Sequence, residues 1–326
     1  MEYRNLGKSG LKVSVVGLGT NNFGKRLNAG VDAEGAQAVV NECLDQGINF
    51  FDTADVYGGR GPSEEYLGRA LKERRHDAVI ATKFAGNMGD GPMRGGGSRR
   101  YIMQAVEASL RRLGTDYIDL YQMHRSDPDT PVEETVRALD DLVRSGKVRY
   151  LGISNHAGWQ IAEIQSVTRM LGTAPIASIQ SEYNLLERGL DQEVIPAATK
   201  FGLGLLPFYP IASGLLTGKY QRGAASNEAG RLAGGSDAIS GYTLSDENFD
   251  RVEPLEAFAR ERGHTILELA FSWLASLPVT GSIIAGATKP SQVAANAAAA
   301  DGWRLNAEEM AEVDRMTKTA KPPKFG

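Results

Sequence analysis

Apolar runs of six to eight residues alternate along this chain with longer stretches in which apolar residues recur every three or four positions. The short runs predict strands at VSVVGLG (13–19), INFFDTA (48–54), AVIATKF (78–84), YIDLYQMH (117–124), VRYLGIS (148–154), IASIQSEY (176–183), GLLPFY (204–209) and GSIIAGA (281–287). The longer stretches, such as AEGAQAVVNECLDQG, SEEYLGRALKER, YIMQAVEASLRRLG and VEETVRALDDLVRSG, predict amphipathic helices. Gly47, Gly114, Gly146, Gly172 and Gly202 each follow a helical run, where a left-handed C-cap favours glycine.

Near-continuous apolar strands are what parallel strands look like when helices cover both faces. Eight such strands, each followed by a helix, point to a closed (β/α)8 barrel forming one domain over residues 1–326. The competing architecture is an open doubly wound sheet, with GLGTNNFG as its dinucleotide loop. Gly17, Gly19 and Gly24 do not have the G-x-G-x-x-G spacing, however, and no acidic residue ends a second strand about twenty positions on. The segment YRNLGKSGLKVS predicts an N-terminal β-hairpin plugging the barrel bottom, and NAEEMAEVDRMTKT an extra C-terminal helix capped by Asn306. The stretches 86–98 and 221–247 are too long and polar for simple connections. They are expected to be mobile loops over the C-terminal face, the second acting as a lid.

Composition narrows the function classes. A formal net charge of −4 gives no electrostatic footprint for nucleic acid. Cys43 is the only cysteine, so neither an internal disulfide nor a thiolate metal cage can form, and its place on the apolar face of a helix predicts core packing. The first residues lack the apolar stretch of a signal peptide, and no run of eighteen apolar residues occurs, so a cytoplasmic, non-membrane protein is expected, its oligomeric state left open.

Candidate chemistry gathers at four positions: Asp52 and Tyr57 in NFFDTADVYG, Lys83 in VIATKF and His124 in YQMHRSD. Each has an ordinary structural explanation by itself, as a cap, a packed ring, a solvated cation or a core histidine. The barrel, however, sets the ends of strands two, three and four side by side on one rim. There the Lys83 ammonium needs a counter-charge and Asp52 is the neighbour. A cation beside Tyr57 favours the phenolate, which predicts a phenol pKa lowered from about 10 and a proton ready for transfer. His124 is then placed to donate to a carbonyl oxygen.

These motifs resemble the aldo-keto reductases, and within them the branch related to bacterial general-stress reductases and potassium-channel β subunits. The resemblance runs from RNLGKSGLKVSVVGLGT through FFDTADVYG, SEEYLGRAL, ATKF, SLRRLGTDYIDLYQMH, GKVRYLGISN and SIQSEYN to GLLTGKY and GATKPSQV, nearly the whole chain. It implies that Asp52, Tyr57, Lys83 and His124 form a catalytic tetrad. It also implies a nicotinamide dinucleotide, NADPH with NADH bound more weakly, lying extended across the rim without a Rossmann domain. Ser154, Asn155 and Gln180 match residues that hold the carboxamide, and Phe208 the aromatic that stacks on the ring. Gly19, Thr20 and Asn21 join Asp52 along the same cofactor path. Tyr209, Pro210, Ile211, Ala212, Gly214 and Lys219 match the pyrophosphate side, and Gly286, Thr288, Lys289, Gln292 and Asn296 the adenosine-phosphate cradle. Three positions depart from the pattern. Tyr209 stands where a small residue is usual, Ala295 replaces an acid near the adenine, and His156 stands where an aromatic is common, either to bind substrate or to face solvent.

The implied partner is a small-molecule carbonyl, held among Asn22, Phe23, Tyr57, Phe84, His124 and Trp159, with Met93 and Arg94 on the loop above. Two other functions compete: an NADPH-sensing regulatory subunit with slow turnover, and a non-redox barrel using Lys83 as a Schiff base. The retained His124 weighs against the first, and the neighbouring carboxylate and tyrosine against the second.

Overall fold

A computed structural model describes residues 1–24, 30–223, 232 and 241–318. The chain opens with a hairpin, β1 (Tyr3–Asn5) and β2 (Lys12–Ser14), antiparallel with Tyr3 opposite Ser14. The predicted first strand therefore divides: residues 12–14 belong to the hairpin, and the first barrel strand starts at Val16. Leu6 and Val13 leave the hairpin fully buried and pack with Phe50, Ala81, Leu120, Leu206 and Ile284 in the barrel interior. Lys8 N also donates to Gly202 O, fastening the hairpin across the end of the barrel where strands begin.

Eight parallel strands close the barrel, β3 (Val16–Gly19), β4 (Phe50–Asp52), β5 (Val79–Phe84), β6 (Ile118–Met123), β7 (Val148–Ser154), β8 (Ile176–Glu182), β9 (Gly204–Phe208) and β10 (Ile283–Gly286). Closure is made by β10, whose Ile284 pairs with Gly17 of β3 and Phe208 of β9. A closed ring has no edge and no strand-order reversal, which removes the open-sheet alternative.

Around the ring run α1 (Ala33–Asp45), one-turn α2 (Tyr57–Arg60), α3 (Pro62–Leu71), α4 (Arg99–Leu113), α5 (Val132–Arg144), α6 (Gly158–Leu171) and α7 (Val194–Phe201). They are followed by α8 (Asp246–Glu261), α9 (Ile266–Ser276), α10 (Pro290–Asp301) and the terminal α11 (Ala307–Thr317). The sequence signals for their ends are met by geometry. Asn306 accepts from Glu308 N and Glu309 N to cap α11, and all five expected C-terminal glycines have positive φ. Cys43 is buried on the inner face of α1.

The stretch 86–98 is tied to the C-terminal face, with Gly97 N donating to Asp127 Oδ2 and Met88 N to Arg94 O. Most of the expected lid, 221–247, lies outside the described residues.

Helix α3 meets the end of α4 at Gly68, where an added Cβ would stand 2.3 Å from the backbone oxygen of Leu113. Helix propensity alone makes Gly→Ala stabilising by about 1 kcal/mol. Backbone cannot yield as a side chain can, so we expect Gly68→Ala to destabilise the fold by about 1–3 kcal/mol, read by urea unfolding. A variant as stable as the parent would mean that the two helices separate freely there.

Candidate active site

Strand register builds the site. Asp52 ends β4 beside Gly19 of β3, and Lys83 lies two residues beyond the Ala81 that pairs with Asp52. Lys83 in turn pairs with Gln122 of β6, and Ser154 with Gln180. Lys83 and Asp52 are 0% and 2% exposed, so neither charge has water to stabilise it. They compensate one another: Lys83 Nζ lies 2.8 and 2.7 Å from the two Asp52 oxygens and 3.0 Å from Thr53 O. Asp52 Oδ1 also accepts from Gln180 Nε2 at 2.7 Å and Gln122 Nε2 at 3.2 Å. Gln122 was not among the expected site residues, but its signal was present. It is a polar residue in an apolar strand, two positions before His124 and so on the same side.

Tyr57 is brought over this pair by a tight turn. Gly58 has φ 72°, and a Cβ there would stand 2.5 Å from Phe23 O, so the chain can fold back only with glycine. The Tyr57 hydroxyl then comes within 3.4 Å of Lys83 Nζ. Burial raises the pKa of the phenol, and the Lys83 charge opposes this without reversing it. The expected net lowering is thus corrected: Lys83 acts in the anticipated direction, but desolvation is the larger effect and Tyr57 stays protonated. Lys83 itself is disfavoured as a cation by burial, yet Asp52 and Tyr57 outweigh that and raise its pKa, keeping it charged.

His124 follows β6, its backbone N donating to Phe84 O and its ring meeting Tyr57 edge-on at 5.8 Å. Burial, then the Lys83 and Arg125 charges, push its pKa down to about 3, so the imidazole is neutral. His156 is neither solvent-facing nor at the cavity. It is buried with Nδ1 2.8 Å from Ser154 O, and its pKa is pushed down to about 4, mainly by burial.

A cavity of about 930 Å³ opens above the four residues, at the upper end of the range for ligand sites. Among the expected cofactor positions it is lined by Gly19, Asn21, Asp52, Ser154, Asn155, Gln180, Phe208, Tyr209, Pro210, Ile211, Gly214, Lys219, Gly286, Thr288, Lys289 and Gln292. Thr20, Ala212 and Asn296 are buried outside the lining; Thr20 instead hydrogen-bonds Asp52 O and Ser63. Of the expected substrate positions, Asn22, Tyr57 and His124 border the site. Phe23 and Phe84 do not: both are fully buried, Phe84 stacked on Tyr121 at 4.8 Å. Trp159, 62% exposed at the start of α6, and the loop residues Met93 and Arg94 also lie outside the lining. Asp32, Arg125 and Ser213 line the cavity without having been anticipated.

The lining suits an extended dinucleotide. Asn155, held at φ 57°, donates to His124 O and leaves its buried Oδ1 without a partner among the described residues, free to accept from an amide. At the other end Lys219 and Lys289 have no carboxylate partner among the described residues, and Lys289 caps α10, whose N-terminal amides favour an anion. A side chain at Gly286 would reach within 3.2 Å of Asn22 Nδ2 and narrow the cleft.

A sequence model of the Aldo/keto reductase family matches residues 15–318. The chain belongs to this family. It is 40% identical to the "Probable voltage-gated potassium channel subunit beta" of Arabidopsis thaliana, over 92% of each chain. It is 34% identical to the L-glyceraldehyde 3-phosphate reductase of Escherichia coli (strain K12), over 97% of this chain and 92% of the relative. It is also 35% identical to the versiconal hemiacetal acetate reductase of Aspergillus parasiticus, over 89% and 90% respectively. The protein is therefore an oxidoreductase of a family that reduces small carbonyl compounds with nicotinamide dinucleotides. Among its described residues no helix is long and apolar enough to cross a membrane.

Two residues before Tyr57, buried Asp55 accepts from Tyr101 at 3.3 Å, and burial followed by the Glu64 charge pushes its pKa up to about 7, against an ordinary 3.8. Between those values the folded chain keeps a proton that the unfolded chain has lost. Stability from this group is therefore full below about pH 4 and is lost as pH rises to 7, by at most on the order of 1 kcal/mol per pH unit. His124 and His156 act oppositely, costing stability as pH falls below 6.5. We expect Asp55→Asn to gain stability over the parent progressively from pH 4 to 8 in urea unfolding. Parallel pH curves for the two proteins would contradict this.

Proposed function

We propose that this protein reduces an aldehyde or ketone to an alcohol, using NADPH in preference to NADH, with Tyr57 as general acid. The observation that carries the reading is the chain of contacts from Asp52 through Lys83 to the Tyr57 hydroxyl, at the floor of a cavity suited to a dinucleotide. The dinucleotide, when bound, supplies a hydride to the carbonyl carbon. The protein's own part is the proton and the geometry. The Tyr57 O–H bond breaks as its proton passes to the carbonyl oxygen. The phenolate left behind stands 3.4 Å from a lysine that stays charged, so its negative charge is met as it forms. Asp52 fixes the lysine, while the neutral His124 offers an N–H to the same oxygen and orients it. Ser154, Asn155 and Gln180 are assigned to the carboxamide and Phe208 to the nicotinamide face.

Preference for the 2′-phosphate rests on Lys289, the Thr288 hydroxyl and the N-terminus of α10. Similarity to the Arabidopsis channel subunit favours a second reading, a regulatory subunit that senses the dinucleotide and turns over slowly. Multiple-turnover rates across aldehydes, ketones and keto-sugars separate the two readings: a single slow turnover with every carbonyl would favour the sensor.

Tyr57→Phe should lower carbonyl reduction by about 10²- to 10⁴-fold while dinucleotide binding, followed by intrinsic fluorescence, persists. Turnover at the parent rate would remove Tyr57 as the acid. Lys289→Ala should weaken NADPH by roughly ten- to hundredfold and NADH far less, the gap closing at high salt. Equal losses for both cofactors would take Lys289 out of the phosphate site.

A further inference from the structure

We propose that Arg125 selects carbonyl substrates that carry an anionic group, a carboxylate or phosphate, within a few carbons of the carbonyl. This rests on the reductase reading of the site and names the substrate class for it. Arg125 directly follows His124, and the two residues line the cavity together with Tyr57. It is exposed, and among the described residues it makes no hydrogen bond or ion pair. Several arginines are held by carboxylates, Arg75 by Asp119, Arg112 by Glu64, Arg188 by Asp314 and Arg222 by Asp246, and others such as Arg60, Arg94 and Arg137 are unpaired among the described residues like Arg125 but lie outside the cavity lining.

Among the described lining residues, neither carboxylate is left to pair with Arg125. Asp52 is engaged by Lys83, and Asp32 accepts from Gly35 N as the cap of α1. The remaining lining cations, Lys219 and Lys289, belong to the segments after β9 and β10, where the cofactor phosphates are assigned. Among the described lining residues Arg125 is the cation that adjoins His124, close enough that its charge contributes to keeping His124 neutral. A guanidinium is a rigid fork of donors that meets a carboxylate or phosphate through two parallel hydrogen bonds, and it loses little hydration in doing so. An anion bound there completes the pairing that the protein leaves open and holds the carbonyl over Tyr57.

The test uses matched pairs that differ in charge: 4-carboxybenzaldehyde against methyl 4-formylbenzoate, and glyceraldehyde 3-phosphate against glyceraldehyde. The first pair reads carboxylate and the second phosphate. The parent should favour at least one anion in kcat/KM, and Arg125→Gln should cut that charged-to-neutral ratio by about ten- to hundredfold, mostly through KM. Arg125→Lys should retain part of it, and added salt should weaken it in the parent. A parent ratio near one for both pairs, or an Arg125→Gln variant that lowers both members of each pair equally, would overturn the proposal. Calorimetric titration of 4-carboxybenzaldehyde and its methyl ester into the protein, with and without NADP⁺, keeps the question separate from catalysis. If no aldehyde is reduced, the reductase reading fails. In that case selective loss of carboxylate binding in Arg125→Gln still supports the anion site, and equal binding of both probes to parent and variant removes it.

Discussion

The buried pair of Lys83 and Asp52 is the interaction on which the site depends. Two charges removed from water cost several kcal/mol each unless each is fully compensated, and deleting one partner costs about 3–5 kcal/mol. Compensation here is close to complete: Asp52 receives Lys83 on both oxygens and two glutamine amides on Oδ1, while Lys83 also reaches Thr53 O and the Tyr57 hydroxyl. The donors come from β5, β6 and β8 and the carboxylate from β4, so the pair is satisfied only where the curved sheet brings these strands together. The geometry of the site and the assembly of the sheet are thereby coupled.

This coupling explains what could be read from the chain. Asp52, Lys83 and His124 sit at the ends of apolar strands, where an ionisable residue breaks an otherwise buried pattern, and barrel topology brings neighbouring strand ends together. The eight strands, the hairpin, the terminal helix and the helix-ending glycines are local signals of period and turn chemistry, and they were legible for that reason. The second line of contacts was less so. Gln122 announces itself only as a polar interruption, and Gln180, expected at the cofactor, also spends an amide on Asp52.

Proximity in sequence misplaces several side chains. Phe23 and Phe84 look like pocket aromatics because they adjoin site residues in sequence, but both are fully buried; successive residues of a strand face opposite ways, and Phe84, next to Lys83, stacks on Tyr121. His156 likewise follows Ser154 and Asn155 yet folds back onto Ser154 O. Charge balance in a buried site is also not readable from neighbours alone. Lys83 beside Tyr57 suggests an acidified phenol, whereas desolvation carries the shift the other way.

That reversed shift suits a general acid. A phenol lowered into the neutral range would spend part of its time deprotonated and unable to give its proton. Held above its ordinary pKa, Tyr57 is protonated throughout the physiological range, and Lys83 contributes most where negative charge develops on the oxygen. The neutral state of His124 fits the same logic, since a second cation beside Lys83 would add repulsion without adding a proton donor that the site lacks. Burial thus sets the resting protonation of Tyr57 and His124, and in the proposed reaction the ion pair supplies stabilisation that grows only as the proton leaves.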